Sequence, residues 1–525
     1  MSDMPWNRRQ LLQRASACAG TLWLRRSAWS QQRWASNPFA LGVASGSPSD
    51  DSVVLWTRLV QSGGRPLAVA DTTVQWELAH DDQFRRRVAS GQSTALAQLG
   101  HAVHVEVPNL EPDRWYFYRF MSGDAVSATG RTRTFPAPGA VVSKLRLSYA
   151  SCQHWEHGYF AAHRHMRDEQ LDVVMFLGDY IYEYGAPAKP VRRGGTDWVL
   201  TLDDYRARYA LYKSDPDLQA MHAACPWLVV WDDHEVQNDY AGTTPGATGP
   251  VVANFAARRA AAYQAYYEHM PLRSSVLTQA LGGLASGAEL RIYGSVPYGN
   301  LATLYWLDDR QYRDPQACTK DGKRGASTVD PARCPDWNDS GRTLLGSAQE
   351  QWADQAFGRS RTSWNVVGQQ TTLGRRDFKW APGQSLSNDG WDGYSPARSR
   401  FIQSMTRHRL ANPVVLGGDV HSNWVGHVKA DYADPGSASI GVEFCGTSIS
   451  SHGGSNEKLP EHLRENPHYV FADREHRGYG VVEFTPKQLT TTLRVVDDVT
   501  RADTGIATLA QFVVEAGRAQ LQRTS

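Results

Sequence analysis

The chain has almost no net charge. Its 55 Lys and Arg stand against 54 Asp and Glu, a formal +1 over 525 residues. That excludes an extended polyelectrolyte interface of the nucleic-acid-binding kind and leaves room only for local basic patches. Long hydrophobic runs are missing too. After residue 30 none approaches the roughly 20 residues needed to span a bilayer. No internal repeat or long low-complexity stretch is present. Cysteine is scarce, at six. Cys318 and Cys334 bracket a loop rich in Lys, Gly, Arg and Asp. In an oxidising compartment they are natural disulfide partners, and closing such a loop stabilises by about 3 kcal/mol in the chain-entropy model; otherwise they are two free thiols. Cys225 and Cys445 lie beside apolar segments and read as buried thiols. Cys152 stands apart and is taken up below.

Aromatic residues are plentiful, with 18 Trp and 22 Tyr, and the length suits two domains with ample core. Residues 1–30 read as a targeting segment. Arg8-Arg9 precede Gln10-Leu11-Leu12 and a modest apolar stretch from Ala15 to Leu24 that contains Cys18. This order resembles a twin-arginine signal, which exports folded proteins, with cleavage expected near Ser30. The apolar stretch is short and Arg25-Arg26 follow it, so a basic tail is the alternative.

Residues 38–138 are dense in short β-branched and aromatic runs (DSVVLWTRL, TVQWELA, HAVHVEV, WYFYRF) separated by Gly/Pro/Asp turns. That pattern predicts a small all-β, immunoglobulin- or fibronectin-like sandwich. After a Pro/Gly linker, residues 143–500 alternate buried-strand runs (LRLSYA, LDVVMFLGD, PWLVVWDD, ATLYWLDD, WNVVGQQ, NPVVLGGD) with helical segments, the best being NFAARRAAAYQAYYEHM. The expectation is an α/β core, an α+β sandwich, with ligands at the carboxyl ends of its strands. VVEFTPKQLTTTLRVVD predicts a closing hairpin. Residues 501–525 (ATLAQFVVEAGRAQL) show helical apolar spacing and predict a C-terminal helix, packed on the body or acting as a lid.

Chemistry concentrates at four strand ends. Asp179 and Tyr182, three apart after FLGD, can reach one ion. Cys152 ends LRLSYAS, where a thiolate needs nearby positive charge. Asp232, Asp233 and His234 cannot all be buried unpaired without severe desolvation cost, which coordination relieves. Asp419 and His421, two apart after Gly417-Gly418, are expected on one side of an extended backbone. His234 could also contact phosphate or donate a proton to a leaving group. Asn238 could bind metal or phosphate through its amide. Each motif alone also reads as a turn or a core residue; together, in this order, they point to one metal centre.

The ladder GD-x-x-Y, DDHE, GGDVH resembles the calcineurin-like metallophosphoesterase pattern. SYASCQ, FLGDYIY, WDDHEVQND and LGGDVH together are similar to the PhoD-like alkaline phosphatases, and ASGSPSDDSVVLWTRL to that family's N-terminal domain. The resemblance implies a metallophosphoesterase core holding one Fe(III) and two Ca(II). Carried over residue by residue, Cys152, Asp179, Tyr182 and His421 match the iron side, with Asp179 bridging. Asp233 stands where the wider pattern has Asn, and Asp419 where it has His; hard oxygen ligands there suit calcium. His234 and Asn238 match phosphate-contacting positions.

The implied activity is hydrolysis of phosphomonoesters, with some diesters, through attack of a metal-activated water or oxide on phosphorus, with Asp179 and His234 in catalytic roles. Implied partners are small phosphate esters, phospholipid or wall phosphodiester, and the twin-arginine export machinery, for a monomeric periplasmic or secreted enzyme. The competing readings are a phosphodiesterase or phospholipase D on the same metals, and an exported binding protein whose metal site is only structural.

Overall fold

The computed structural model describes residues 33–185, 187–195, 197–279, 289–320, 324–379, 382–434 and 436–525. The expected targeting segment, residues 1–30 with Cys18, lies outside them. Among the described residues no helix is long and apolar enough to cross a membrane.

Two mixed sheets face each other. In the first, three parallel strands form the centre: Leu145–Ala150, Val173–Leu177 and Trp227–Val230. In the second, Ala302–Trp306, Trp364–Gly368, Pro413–Gly417 and Ser439–Cys445 run parallel. These strands are nearly continuous apolar runs because both faces are covered. Met175, Val229, Val366, Leu416 and Phe444 share one buried core cluster between the sheets.

Helices cover the outer faces. Leu202–Lys213 begins with a capping box in which Thr201 and Asp204 satisfy each other's backbone amides. Phe255–His269 is capped by Asn254, whose side chain accepts from the Ala257 N–H. From this helix Tyr263 stacks on Trp231, ring centroids 4.2 Å apart. On the second sheet, Gly346–Arg359 and Ser395–Arg407 bring Phe357, Phe401 and Met405 against Val367 and Val415.

The β-rich N-terminal region forms the expected sandwich, with one difference. Its inner layer (Val43–Gly46, Val53–Arg58 and Ala102–Val107) extends the first core sheet through a parallel bridge between Gly46 and Trp227. The outer layer is the separate sheet of Thr72–Ala79, Arg87–Ala95 and Trp115–Ser122. Val53, Leu55 and Val103 meet Val74, Leu78 and Tyr118 between the layers. The sandwich therefore shares backbone hydrogen bonding with the core.

The predicted C-terminal helix is corrected. Ile506–Glu515 is a strand paired antiparallel with Gln488–Val496, itself the second arm of the hairpin with Gly478–Phe484. Ala510, Phe512 and Val514 alternate inward, so the segment satisfies a period of two as well as a helical one. The open edge of residues 488–496 supplies backbone partners that an isolated helix lacks, and tertiary context decides. With no helix over residues 501–525, the helical lid goes as well.

Candidate metal centre

The carboxyl ends of both sheets converge, and glycines let them do so. Gly178 has φ +99°, and a Cβ there would lie 2.4 Å from the Asp232 Cβ. A Cβ on Gly418 would lie 2.4 Å from Ser151 Oγ. Only glycine permits such approach. Backbone hydrogen bonds then lace the loops together: Cys152 N–H to the Gly178 carbonyl at 3.1 Å, Gly418 N–H to Gln370 at 2.7 Å, Ile449 N–H to Ser151 at 2.9 Å.

Cys152 (φ 61°), Asp179 (φ 55°), Asp419 (φ 64°) and His421 (φ 51°) all sit in left-handed backbone. A non-glycine residue there is uncommon and costs on the order of 1 kcal/mol or more. The Asp419–His421 segment is thus a turn, not the extended backbone expected, because the chain leaves its strand at Gly417. The two side chains consequently separate. Three overlapping groups result, each with ligand atoms mutually within 4.8 Å: Cys152, Asp179 and His421; Asp179, Asp233 and His234; Asp232, Asp233 and Asp419. Asp179 joins the first two and Asp233 the last two.

Tyr182 belongs to the first group by contact. Its hydroxyl donates to Asp179 Oδ2 at 2.9 Å and lies 3.1 Å from His421 Nε2 and 2.7 Å from Ser451 Oγ. His421 Nδ1 lies 2.8 Å from the His452 carbonyl, an acceptor only, so Nδ1 carries the proton and Nε2 presents its lone pair to the group. Burial holds His421 down at about 3. Burial, then Asp179, pushes the Cys152 thiol well up, so a thiolate here requires a cation.

Burial also raises Asp179 against the attraction of His234, and Asp233, Glu235 and Asp419 add repulsion. Asp179 Oδ1, Asp232 Oδ2 and Asp233 Oδ1 are buried with no hydrogen-bond partner among the described residues. Orphaned carboxylate oxygens beside S, N and phenol donors fit resident cations: a mixed sulfur, nitrogen and phenol set on one side, oxygen on the other.

Several site residues escaped sequence reading. Arg310, fully buried, pairs with Asp232, with Asp389 at 2.7 Å and with Asp419 at 3.2 Å, and lies 3.6 Å from Asp233. Burial opposes its charge, but Asp232, Asp233 and Asp389 hold it firmly protonated. Arg310 follows the strand run LYWLDD, so the same strand-end signal marked it. Glu183 Oε2 lies 2.7 Å from His234 Nδ1, and Oε1 accepts the Asn238 N–H at 2.8 Å. Burial works against a charged His234, but Asp179, Glu183 and Asp233 raise it well above its ordinary value. Glu235 of the DDHE motif is a brace: it accepts the backbone N–H groups of Asp179, Tyr180 and Asp232, tying two strand ends together.

Asn238 joins none of the three groups. Its Oδ1 accepts from the Tyr184 hydroxyl at 2.7 Å. Cys318 and Cys334 form the expected disulfide, while Cys225 and Cys445 are free and buried.

The sequence model of the PhoD-like phosphatases matches residues 147–493, and that of the PhoD-like phosphatase N-terminal domain matches residues 25–136. Alkaline phosphatase D of Bacillus subtilis (strain 168) is 44% identical over 504 residues, covering 94% of this chain and 83% of the relative. A solved structure described as the structure of PhoD superposes with a TM-score of 0.87 at 43% identity, covering 94% of this chain and 93% of its own.

Proposed function

This chain belongs to the PhoD-like phosphatase family, and on that premise we propose that it is an exported, metal-dependent alkaline phosphatase acting on phosphomonoesters and some diesters. The observation that carries the reading is the trio of ligand groups linked through Asp179 and Asp233, with orphaned carboxylate oxygens and His234, bonded to Glu183, beside them. Cys152, Asp179, Tyr182 and His421 would hold Fe(III); Asp179, Asp233 and Asp419 would contribute to two Ca(II) sites, in a core of the calcineurin-like metallophosphoesterase kind. When bound, such cations neutralise phosphate oxygens and supply an activated water.

The chain's own residues do the rest. His234, oriented by Glu183, holds its remaining proton on Nε2, where it can neutralise a phosphate oxygen or protonate the leaving alkoxide. Arg310 keeps Asp232, Asp389 and Asp419 in fixed orientation. Asn238, whose Oδ1 accepts from Tyr184, has its Nδ2 amide to donate to a phosphate oxygen. The twin-arginine segment, the periplasmic or secreted location and the monomeric state complete the proposal.

The test is elemental analysis of protein purified from an exporting host, with phosphate release measured on the same sample. Iron and calcium together with turnover of p-nitrophenyl phosphate are expected, along with loss of activity in EGTA and recovery with Ca(II). A phosphodiesterase would instead favour bis(p-nitrophenyl) phosphate, and a phospholipase D phosphatidylcholine. Bound metal with no ester hydrolysis would return the binding-protein reading.

A further inference from the structure

Two loops flank the Asp419–His421 turn; one carries Arg376 and the other packs against Arg474. The first starts at Thr371, whose hydroxyl donates to Asp419 Oδ2 at 3.2 Å, and ends at Arg376. The Arg376 guanidinium lies over Phe378 (5.0 Å to the ring centroid) and Trp424 (5.5 Å). The second runs through His452, Gly453 and Gly454. His452 accepts from His421, the Gly454 N–H donates to the Arg474 carbonyl at 3.0 Å, and the Arg474 N–H donates to Asn456 Oδ1 at 2.8 Å. A Cβ on Gly454 would lie 2.5 Å from an Arg474 guanidinium nitrogen. His462 lies edge-on to Phe378 at 5.7 Å.

Neither guanidinium has an ion pair among the described residues. The neighbouring carboxylates are otherwise engaged: Asp377 with Arg375, Asp392 with Arg398, Asp473 with His476, Glu475 with the Asn456 N–H, and Glu443 with the Leu373 and Gly374 amides. Arg376 Nε and, beneath it, the Trp424 indole N–H are buried without an acceptor there. Burial and then Arg376 lower Arg474; burial, Arg474 and Arg376 contribute to lowering His462. Trp424, over which the Arg376 guanidinium lies, pairs with Ala472 two residues before Arg474, so both arginines gather at one strand pair. Like charges placed so beside an acidic centre, with donors left over, match an anionic ligand better than a structural role.

We propose that Arg376 and Arg474 form a second anion subsite beside the metal centre, which receives a further phosphate carried by the leaving group. The proposal rests on the phosphatase reading. It makes the preferred substrates esters with two phosphates, either a bisphosphate or a phosphodiester chain whose next phosphate reaches the subsite.

The experiment compares kcat/KM of the metal-replete enzyme on fructose bisphosphate against fructose monophosphate. A second arm compares dithymidylate with and without its 5′ phosphate, which separates the two sources. Wild type should prefer the additional phosphate, and Arg376→Ala and Arg474→Ala should each cut that preference about tenfold. Arg474→Gln serves if an alanine variant does not fold. An unchanged preference in folded variants overturns the proposal. If the enzyme releases phosphate from no ester, the phosphatase reading fails, but the subsite is still testable by calorimetric binding of tripolyphosphate. A loss of about tenfold or more in affinity in the double variant supports it, and equal affinity overturns it.

Discussion

Asp179→Asn separates catalysis from folding at one atom. Asp179 joins two of the three ligand groups, so removing its charge weakens both at once. Losing a preorganised charge of this kind costs on the order of 10³ in kcat, about 4 kcal/mol. The fold should respond oppositely. The side chain is buried, its Oδ1 has no partner among the described residues, and Oδ2 accepts from Tyr182. Asn keeps that acceptor and, unlike most residues, tolerates the left-handed backbone at φ 55°. In metal-stripped protein the substitution removes a buried carboxyl raised by burial and by its acidic neighbours. A gain of about 1–3 kcal/mol is expected. For a chain this long the unfolding entropy is about 1 kcal/mol per kelvin, so Tm should rise by roughly 1–3 °C. The assays are phosphate release on folded, metal-replete variant and calorimetric melting at pH 8 after chelation. Near-wild-type kcat, or a stripped variant melting several degrees below stripped wild type, would refute the reasoning.

Glu183→Gln should lower kcat about 10–100-fold with little change in melting, and more on phenyl phosphate than on p-nitrophenyl phosphate, because the poorer leaving group depends more on a proton from His234; equal losses on both esters count against that role. Metal-stripped protein should lose stability as pH rises from about 6.5 to 8. Glu235 and Glu443 are pushed up to about 7 by burial, and Asp179 and Asp232 are raised well above their ordinary values. A folded value above the unfolded one means the native state binds more protons, so the stability present below the unfolded value near 4 is lost as pH climbs through the folded one. Buried histidines held low, such as His222 and His421, oppose this only below about 6.5; a stripped-protein Tm that is flat or rising above that pH contradicts the carboxyl assignment. Cys334→Ser opens a loop of sequence separation 16 and should cost about 3 kcal/mol, seen as a drop of roughly 3 °C in Tm that reductant reproduces in wild type and not in the variant.

The motif residues were legible because each closes an apolar run, and a buried strand can only place acids and histidine at its tip. Arg310 obeys the same rule after LYWLDD; its role as counter-ion depends on Asp389 and Asp419, which arrive from distant loops. Asp389 and Ser451 lie in irregular segments where no periodicity distinguishes them. The turn at Asp419–His421 is not legible in the sequence, because spacing alone does not reveal a positive φ. The C-terminal strand is ambiguous in the sequence, because Ala510, Phe512 and Val514 satisfy two periods at once. The inner layer of the sandwich pairs with the core sheet at Gly46 and Trp227, and the contacts that reinforce this, such as Trp56 to the Glu268 carbonyl and Arg131 N–H to the Ala223 carbonyl, join residues far apart in the chain that no local side-chain pattern encodes.

The charge inventory explains why these particular acids remain for cations. Glu183 and His234 offset each other at 2.7 Å. Arg313 Nη2 pairs with Asp389 at 2.7 Å, and Arg310 Nε with Asp232. Asp179, Asp233 and Asp419 are left. Arg310 reaches Asp233 and Asp419 only at 3.6 and 3.2 Å while engaged elsewhere. Three carboxylates crowded at strand ends, raised or held ionised by a single shared guanidinium, are costly unless cations join them. Those same three residues are the ones that the motif resemblance assigns to the bridging, Asn-like and His-like positions. Replacing neutral ligands by acids at positions 233 and 419 therefore makes sense only together with Arg310, which takes up the acids that the cations do not.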